Sequence, residues 1–237
     1  DVITTGGSLN KALAILNDVI NVVDVMVIFD RQESPSCSKD YHSLLCKNDV
    51  VRYMLGNISK KKSSKLCFAG DMVDPFKLLD ILDIIGEHIV ICKIHYDIMN
   101  LDKCPDFIKR LVDSSIKHDF LIMEDRKYND ISSIVVKQHR KFVGWVDLVT
   151  VHSLVNKEVI KNLFGVMLVA NMSNNTYNYD KEAIELSISN NVIGYITQHR
   201  IKKNGFLCMT PGISHNAVIQ PEVADQKYRS VKDVDTD

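Results

Sequence analysis

The stretch LCFAGDMVDPFKLLDILDII, residues 66–85, contains the unit on which the rest of the chain is built. It begins with a short apolar run, which is typical of a β-strand and which we place at residues 65–70. Pro75, directly after Asp74, then opens a series of apolar residues at helical spacing, and proline is favoured in the first turn of a helix. The stretch therefore predicts a buried strand followed by an amphipathic helix.

The same alternation continues toward the C-terminus. It predicts helices at residues 105–118 and 131–140, and strands at residues 88–95, 120–123, 146–151, 164–170, 192–197 and 206–209. Short, continuously apolar strands separated by helices are typical of parallel strands that are buried on both faces. The predicted fold class is therefore α/β, as a TIM barrel or a doubly wound sheet. About seven such strands favour the barrel, although a complete barrel has eight.

The composition is that of an ordinary globular protein. The chain has 237 residues, of which 46% are hydrophobic and 25% charged, so it can bury a sizeable core. Its formal net charge of -1 gives no reason to expect a nucleic-acid or membrane-surface partner, and no apolar stretch is long enough to span a bilayer. The six cysteines include no CxxC pair, which favours buried free thiols in a cytoplasmic protein over disulfides or a zinc site.

Two polar regions lie before the alternation begins. Residues 34–39, SPSCSK, have the composition of a linker, and residues 59–65, SKKKSSK, form a basic run that we interpret as a solvated loop. We therefore expect residues 34–65 to be a linker and lead-in segment before a C-terminal domain at residues 66–237.

Charged residues follow two of the predicted strands. Side chains alternate along a strand, so Asp125 should face the same way as Lys127, and Lys93 the same way as His95. In a barrel, functional side chains lie at the C-terminal ends of the strands. The simpler alternative is a set of surface ion pairs on loops. That alternative is weaker for Lys93, because it lies within an apolar run, where a buried ammonium group needs an anionic partner.

The first residues, DVITTGGSLNKALAILNDVI, contain a turn of small residues that leads into a predicted helix. Such a turn exposes backbone N–H groups and favours a phosphate, although an ordinary glycine-rich helix cap has the same pattern. The segment resembles the ribose-phosphate-binding part of type I phosphoribosyltransferases, in particular orotate phosphoribosyltransferase. The resemblance implies that residues 1–33 are the remnant of such an α/β domain. Its PRPP-motif residues would be Asp1, Thr4, Thr5, Gly6, Gly7 and Ser8, and only an intact transferase domain would need Mg²⁺ and PRPP.

The charged strand ends resemble a second family. The segment EDRKYNDI, residues 124–131, resembles the DxKxxD signature of orotidine 5′-monophosphate decarboxylases, and CKIHYDI resembles their preceding lysine strand. Other segments of residues 66–237 follow in the family's order, namely LCFAGD, WVDLVTVH, ANMSNN, MTPGI and DQKY. The resemblance implies the catalytic residues Lys93, Asp125, Lys127 and Asp130. It also implies the substrate-binding residues Asp71, His95, Ile131, Ser173, Pro211, Gln226 and Tyr228.

The implied reaction converts orotidine 5′-monophosphate to UMP and CO₂, a step of pyrimidine biosynthesis, without a metal or organic cofactor. Asp125 would lie near the substrate carboxylate, and Lys127 would stabilise and protonate the carbanion. Asp130 would reach the active site of the second subunit in a homodimer. His95 and His152 are expected to hydrogen-bond or pack rather than to act as bases. The transferase-like and decarboxylase-like motifs are those of enzymes that catalyse consecutive steps of one pathway. The whole chain therefore resembles a bifunctional UMP synthase.

The chain also departs from the decarboxylase pattern. It ends in VKDVDTD, before the last strand with its Gly-Arg-Gly segment, so we expect a barrel without its last strand and helix. If the protein ends at Asp237, we expect little or no decarboxylation by it alone. Two alternatives therefore stay open: an impaired barrel that only dimerises or binds a nucleotide, and a Mg²⁺-dependent sugar-phosphate decarboxylase of the same superfamily. The Lys93 strand and the transferase-like segment argue against the latter.

Overall fold

The computed structural model describes residues 2–3, 26–30, 42–174, 177–189 and 191–212, with side chains from Cys46 onward. The strands are β1 Val2–Ile3, β2 Met26–Asp30, β3 His42–Cys46, β4 Cys67–Ala69, β5 Ile91–Ile94, β6 Leu121–Tyr128, β7 Leu148–His152, β8 Val166–Val169, β9 Val192–Ile196 and β10 Leu207–Met209. The helices are α1 Lys47–Lys62, α2 Pro75–Ile85, α3 Phe107–His118, α4 Ser132–His139, α5 Lys157–Lys161 and α6 Asp180–Leu186. None of these helices has the length and apolarity that a membrane-spanning segment needs.

The main sheet has seven parallel strands in the spatial order β4-β5-β6-β7-β8-β9-β10. Each strand pairs with the next strand in sequence, and helices form most of the crossovers. A doubly wound sheet reverses its strand order at a switch point, whereas a TIM barrel does not. The topology is therefore that of the predicted barrel. Residues 213–237 lie outside the described part, so the expected loss of the last strand and helix stays a prediction.

A smaller parallel sheet joins β1, β2 and β3 in that order. The strand β3 and the helix α1 both lie within residues 34–65, so the predicted lead-in segment contains regular structure. The prediction of a loop at residues 59–65 is wrong for residues 59–62, which form the last turn of α1. Lysines are favourable at a helix C-terminus because they interact with its free carbonyl groups. Lys62 also donates hydrogen bonds to the carbonyl oxygens of Gly86 and Ile89, at 2.8 and 2.7 Å.

Helix α1 packs across the N-terminal ends of the main strands. Its apolar residues Val51, Leu55 and Ile58 join a buried cluster with residues of β5 to β9, which includes Ile91, Met123, Leu148, Met167 and Ile193. Asn48 fixes the helix from one side, because its Oδ1 accepts a hydrogen bond from the Gly165 N–H at 2.7 Å. Gly165 has a φ of +59°, and a Cβ there would lie 2.0 Å from the Asp147 carbonyl oxygen, so this contact requires glycine.

The opposite faces of the strands form a larger apolar layer with helices α2 to α6. Fully buried side chains of this layer include Leu78, Leu82, Phe107, Leu111, Val135 and Tyr195. The strands are thus buried on both faces, as their continuous apolar sequences predict. The apolar cluster under helix α1 includes one residue from each of β5, β6 and β7, namely Ile91, Met123 and Leu148. Side chains two residues apart in a strand point to the same face, so Lys93, Asp125 and Thr150 lie on the same face as these residues, closer to the C-terminal ends of the strands.

Most predicted elements are confirmed with changed ends. The largest difference is β6, which was predicted at residues 120–123 and continues to Tyr128. The five described cysteines are free thiols, and Cys37 lies outside the described residues. Their predicted burial holds for Cys92 and Cys104 but is wrong for Cys208, which is exposed because β10 is the edge strand of the described sheet.

Candidate active site

A cluster of charged side chains lies at the C-terminal ends of three neighbouring strands. Asp71 follows β4, Lys93 lies in β5, and Asp125 and Lys127 lie in β6. His95 directly follows β5. Because these strands are parallel neighbours, their C-terminal ends meet at the same end of the barrel, where functional groups of this fold are found.

Lys93 lies between two carboxylates. Its Nζ is 2.8 Å from the Oδ1 of Asp71 and 3.1 Å from the Oδ2 of Asp125. Burial alone would lower the pKa of Lys93, but the two carboxylates outweigh burial and raise it above its ordinary value. The sequence predicted an anionic partner for Lys93 because of its apolar neighbours, and the structure provides two, Asp71 and Asp125.

Asp125 is the buried centre of the cluster, with 6% of its surface exposed. Its Oδ2 lies 2.8 Å from the Nζ of Lys127 and 3.4 Å from the Nε2 of His95, in addition to the contact with Lys93. Burial works against the charged form, but the His95 hydrogen bond and the two lysines hold the pKa of Asp125 far below its usual range. The carboxylate is therefore ionised throughout the physiological pH range.

The end of β6 is irregular. Glu124 pairs with Val149 and Tyr128 pairs with Val151, so residues 125–127 of β6 lie opposite the single residue Thr150 of β7. Lys127 has a φ of +49°, the left-handed region. Sequence reasoning placed Asp125 and Lys127 on one face by regular alternation. They do face the same site, but through a β-bulge, a feature that often re-aims side chains next to active sites.

Thr150 is fully buried beneath this bulge. Its Oγ1 accepts a hydrogen bond from the Lys127 N–H and donates one to the Oδ1 of Asp125, both at 2.8 Å. Sequence analysis missed Thr150. Its only signal is that a hydroxyl stands within the otherwise apolar run of β7, residues 148–151.

Glu124, also missed, lies on the opposite face of β6 from Asp125 and is fully buried. Its Oε2 accepts a hydrogen bond from the Tyr96 N–H at 3.0 Å, and its Oε1 has no hydrogen-bond partner among the described residues. Burial raises the pKa of Glu124 to about 7. Adjacent carboxyl groups of one strand thus have opposite pKa shifts, since only Asp125 is paired with lysine ammonium groups.

Among the described residues, no hydrogen bond or ion pair joins the other predicted residues to this charged cluster. Asp130 and Ile131 are exposed, and the Oδ1 of Asp130 accepts a hydrogen bond from the Ile131 N–H at 2.7 Å rather than pairing with Lys127. Ser173 follows β8 and Pro211 follows β10, both partly buried. The predicted residues outside the described part of the chain are Gln226, Tyr228, Asp1, Thr4, Thr5, Gly6, Gly7 and Ser8.

The two predicted histidines have different neighbours, and their expected roles stay predictions. His95 lies near both carboxylates, with its Nε2 3.6 Å from the Oδ1 of Asp71. His152 packs against Tyr179 with ring centroids 5.3 Å apart, and burial lowers its pKa. Within the described residues, no group of three or more histidine, cysteine or acidic side chains is arranged to hold a metal ion.

The arrangement can act on an anionic substrate by fixed charges. A partly exposed ammonium group, that of Lys127, lies beside a carboxylate that is ionised throughout the physiological pH range. Such an array can stabilise negative charge that develops near the ammonium group and can deliver a proton to it. Because the charges already hold each other in place, little reorganisation is needed during a reaction.

Comparisons with known proteins show which family the chain resembles. The sequence model of the orotidine 5′-phosphate decarboxylase / HUMPS family matches residues 64–236. Uridine 5′-monophosphate synthase of Bos taurus is 34% identical over 203 residues, which cover 78% of this chain but only 42% of that protein. Orotidine 5′-phosphate decarboxylase of Pichia kudriavzevii is 30% identical over 209 residues, covering 78% of this chain and 79% of that protein.

A further relative is the orotidine 5′-phosphate decarboxylase of Phycomyces blakesleeanus, 31% identical over 217 residues, with 82% of this chain and 78% of that protein covered. Among solved structures, orotidine 5′-monophosphate decarboxylase of Methanocaldococcus jannaschii, complexed with the inhibitor BMP, matches with a TM-score of 0.47 and 18% identity, covering 56% of this chain and 67% of that chain. The family match spans almost the whole barrel region, and with it the chain belongs to the orotidine 5′-phosphate decarboxylase / HUMPS family.

Proposed function

We propose that this protein decarboxylates orotidine 5′-monophosphate to UMP. The observation that carries the proposal is the position of the Asp125 carboxylate between the ammonium groups of Lys93 and Lys127, at the C-terminal end of the barrel. The names of the curated relatives support the same substrate. The enzyme class would be that of a carboxy-lyase.

In the proposed reaction, the pyrimidine C6 carboxylate lies next to Asp125. The bond from C6 to the carboxylate breaks, CO₂ leaves, and its electron pair stays on C6. The Lys127 ammonium group stabilises this negative charge and transfers a proton to C6, and solvent then reprotonates Lys127. One proton is consumed for each CO₂ released, and no step is routed through a metal or organic cofactor. Stabilisation of the developing carbanion, rather than of the bound substrate, is what accelerates the reaction.

The remaining predicted residues have binding roles in this proposal. Asp71 and Lys93 would hold the ribose hydroxyls, supported by their mutual contact at 2.8 Å. Ser173 would contact the pyrimidine amide. Binding energy from groups remote from C6, the phosphate above all, would be used to align the reacting carbon with Lys127. The further substrate-binding residues of the proposal are His95, Ile131, Pro211, Gln226 and Tyr228.

We also propose that the protein is a homodimer in which Asp130 enters the active site of the partner subunit. In support, Asp130 is exposed and forms no ion pair with Lys127 of its own chain among the described residues. Large apolar side chains are exposed after three neighbouring strands at this end of the barrel: Ile98, Ile131 and Leu154 are 43%, 66% and 52% exposed. Adjacent exposed apolar groups of this kind mark surfaces that associate with other proteins.

Two wider proposals concern the protein as a whole. We propose that it is a bifunctional UMP synthase, with a transferase part that would use PRPP and Mg²⁺; the similarity to the bovine synthase supports this, although it spans less than half of that protein. We also propose a cytoplasmic location, which the free thiols of the described cysteines support, because such thiols persist in reducing compartments.

The experiment that tests the proposed activity measures CO₂ release and UMP formation from orotidine 5′-monophosphate by the intact purified protein, with and without a metal chelator. We expect turnover that the chelator does not change. The family description also covers HUMPS proteins, so a β-keto sugar-acid phosphate with Mg²⁺ is the comparison substrate. Metal-dependent turnover of that substrate, with none of orotidine 5′-monophosphate, would overturn the proposal.

A further inference from the structure

The β-bulge at the end of β6 has one side-chain hydroxyl beneath it. Residues 125–127 lie opposite Thr150 alone, so the regular hydrogen bonds between β6 and β7 are interrupted at this point. The Lys127 N–H would lose its partner in the neighbouring strand. Thr150 replaces that partner, because its Oγ1 accepts from this N–H at 2.8 Å. A buried N–H group without a partner is strongly unfavourable, so the hydroxyl makes the bulge possible.

The same hydroxyl also fixes the carboxylate. Thr150 donates its proton to the Oδ1 of Asp125 at 2.8 Å, while the Oδ2 of Asp125 contacts Lys93 and Lys127. The two oxygens of Asp125 are thus held from different sides, one by a neutral donor and one by cations. Because Thr150 is fully buried, water does not compete for either of its hydrogen bonds.

Lys127 needs this support more than an ordinary strand residue does. Its φ of +49° is in the left-handed region, which is unfavourable for a residue with a side chain. A residue in that region persists when its surroundings hold it there. The hydrogen bond from its own N–H to Thr150 is such a restraint, and the ion pair of its ammonium group with Asp125 is the other.

We propose that Thr150 is a positioning residue that aligns Lys127 and Asp125 for the reaction. Its hydroxyl holds the bulged backbone of Lys127 and one oxygen of Asp125 at once, so the distance between the ammonium group and the reacting carbon depends on it. Thr150 itself does not touch the substrate. The inference rests on the proposed decarboxylation, but its structural part, the restraint on Lys127, is measurable without any substrate.

The kinetic test compares Thr150→Val, which keeps the shape and removes the hydroxyl, with Thr150→Ser, which keeps the hydroxyl. We expect Thr150→Val to lower kcat at least about tenfold, because small misplacements of reacting groups are costly, and to change KM less. Thr150→Ser should recover most of kcat. The matched control is Ser153→Ala, which removes a buried hydroxyl one residue after β7 whose hydrogen bond goes to the Val169 carbonyl oxygen at 2.8 Å. It should lose stability without losing kcat.

The second readout is hydrogen exchange at the Lys127 backbone amide, measured by NMR. We expect exchange of this amide to be faster in Thr150→Val than in the wild type, Thr150→Ser and Ser153→Ala. Unchanged exchange, or an unchanged kcat in a folded Thr150→Val variant, would overturn the role of Thr150. A wild-type protein that releases no CO₂ rejects the proposed function instead, and the exchange of the Lys127 amide then decides alone whether Thr150 positions it.

Discussion

The Nζ of Lys127 lies 2.8 Å from the Oδ2 of Asp125, two residues earlier in the same strand. The contact crosses a bulge and places a proton donor directly beside a buried carboxylate that remains ionised. If the Lys127 side chain moved into bulk solvent, the buried negative charge of Asp125 would lose one of its cationic partners, so this movement is unfavourable.

Replacement of Lys127 by alanine should remove the proton donor while leaving most of the barrel intact. We expect kcat for orotidine 5′-monophosphate to fall about 10³-fold or more, the upper part of the range for loss of a general acid. UMP binding, measured by calorimetry, should change much less. Lys157→Ala, in an exposed position of α5, is the control and should keep wild-type kinetics. A Lys127→Ala variant with near-normal kcat would contradict the proposed mechanism.

Replacement of Lys93 by alanine should affect stability in a pH-dependent way. The folded-state pKa of Asp125 lies far below its unfolded value, so its charge stabilises the fold at neutral pH. That stabilisation is lost as pH falls below about 4 toward the folded pKa.

Without Lys93, the pKa of Asp125 rises toward normal. We expect the free energy of unfolding at pH 7 to fall by about 1.5–3 kcal/mol, the range for a hydrogen bond to a charged group. The difference from the wild type should narrow below about pH 4, as followed by urea unfolding. Lys77→Ala, an exposed lysine of α2, should show no comparable loss. A Lys93→Ala variant whose stability deficit grows toward acid would be evidence against this account of Asp125.

Glu124 should produce the opposite pH dependence. Burial raises its pKa to about 7 from an ordinary value of 4.5. Between these two pH values the folded state binds a proton that the unfolded state has lost, so the Glu124 contribution to stability falls as pH rises from about 4.5 to about 7.

The full effect is about 3 kcal/mol, at 1.36 kcal/mol for each pKa unit. Glu124→Gln keeps an oxygen that can accept the Tyr96 N–H. In this variant the decrease in the free energy of unfolding that Glu124 causes between about pH 4.5 and 7 should be absent, as measured by urea unfolding at several pH values. The control Glu182→Gln, on the exposed side of α6, should show the same decrease as the wild type. Identical slopes in Glu124→Gln and the wild type would disprove the assignment.

His139 should make a third pH-dependent contribution to the free energy of unfolding. Its ring is buried against Tyr128, Phe142 and Phe164, and neither ring nitrogen has a hydrogen-bond partner among the described residues. Burial lowers its pKa to about 4, so between about pH 4 and 6.5 only the unfolded state is protonated and stability rises with pH. His139→Leu should remove this slope and increase stability at pH 5 by about 1–3 kcal/mol. Thermal unfolding at pH 5 and 7.5 measures both effects, and a destabilised variant at pH 5 would refute the prediction.

The proposed dimer can be tested by mixing two inactive variants, Lys127→Ala and Asp130→Asn. If Asp130 acts in the partner's site, a mixed dimer contains one intact site, built from Lys127 of one subunit and Asp130 of the other. Random mixing of equal amounts should then restore about a quarter of the wild-type activity. If Asp130 acts within its own subunit, every site stays defective and mixing restores nothing.

Several features of this protein could be predicted from local sequence, because they depend on local rules. The parallel strands follow from continuous apolar runs, and the need of Lys93 for a carboxylate follows from its apolar neighbours. The family resemblance is confirmed for the barrel region. The roles of the individual site residues, the transferase-like segment and the homodimer stay predictions.

Thr150 and the bulge could not be predicted in this way. Whether a strand continues regularly depends on its neighbour in the sheet, and Thr150 is separated from Lys127 by 23 residues in sequence. Glu124 illustrates the same limit. Its sequence neighbours Asp125 and Arg126 suggest a charged loop, but only the packing of the outer layer shows that its carboxyl group is buried.

The contacts of helix α1 have a consequence for the order in which the protein assembles during synthesis. Asn48 bonds to Gly165, 117 residues later, and Arg52 donates to the carbonyl oxygen of Val192, 140 residues later. Ribosomes add about 5–20 residues per second, so the helix waits on the order of ten seconds for these partners. During that time Val51, Leu55 and Ile58 lack the strands that cover them in the native state. The nascent chain therefore exposes the apolar face of α1 until β8 and β9 have been synthesised. During this interval the helix is most prone to aggregation and is a suitable binding site for a chaperone.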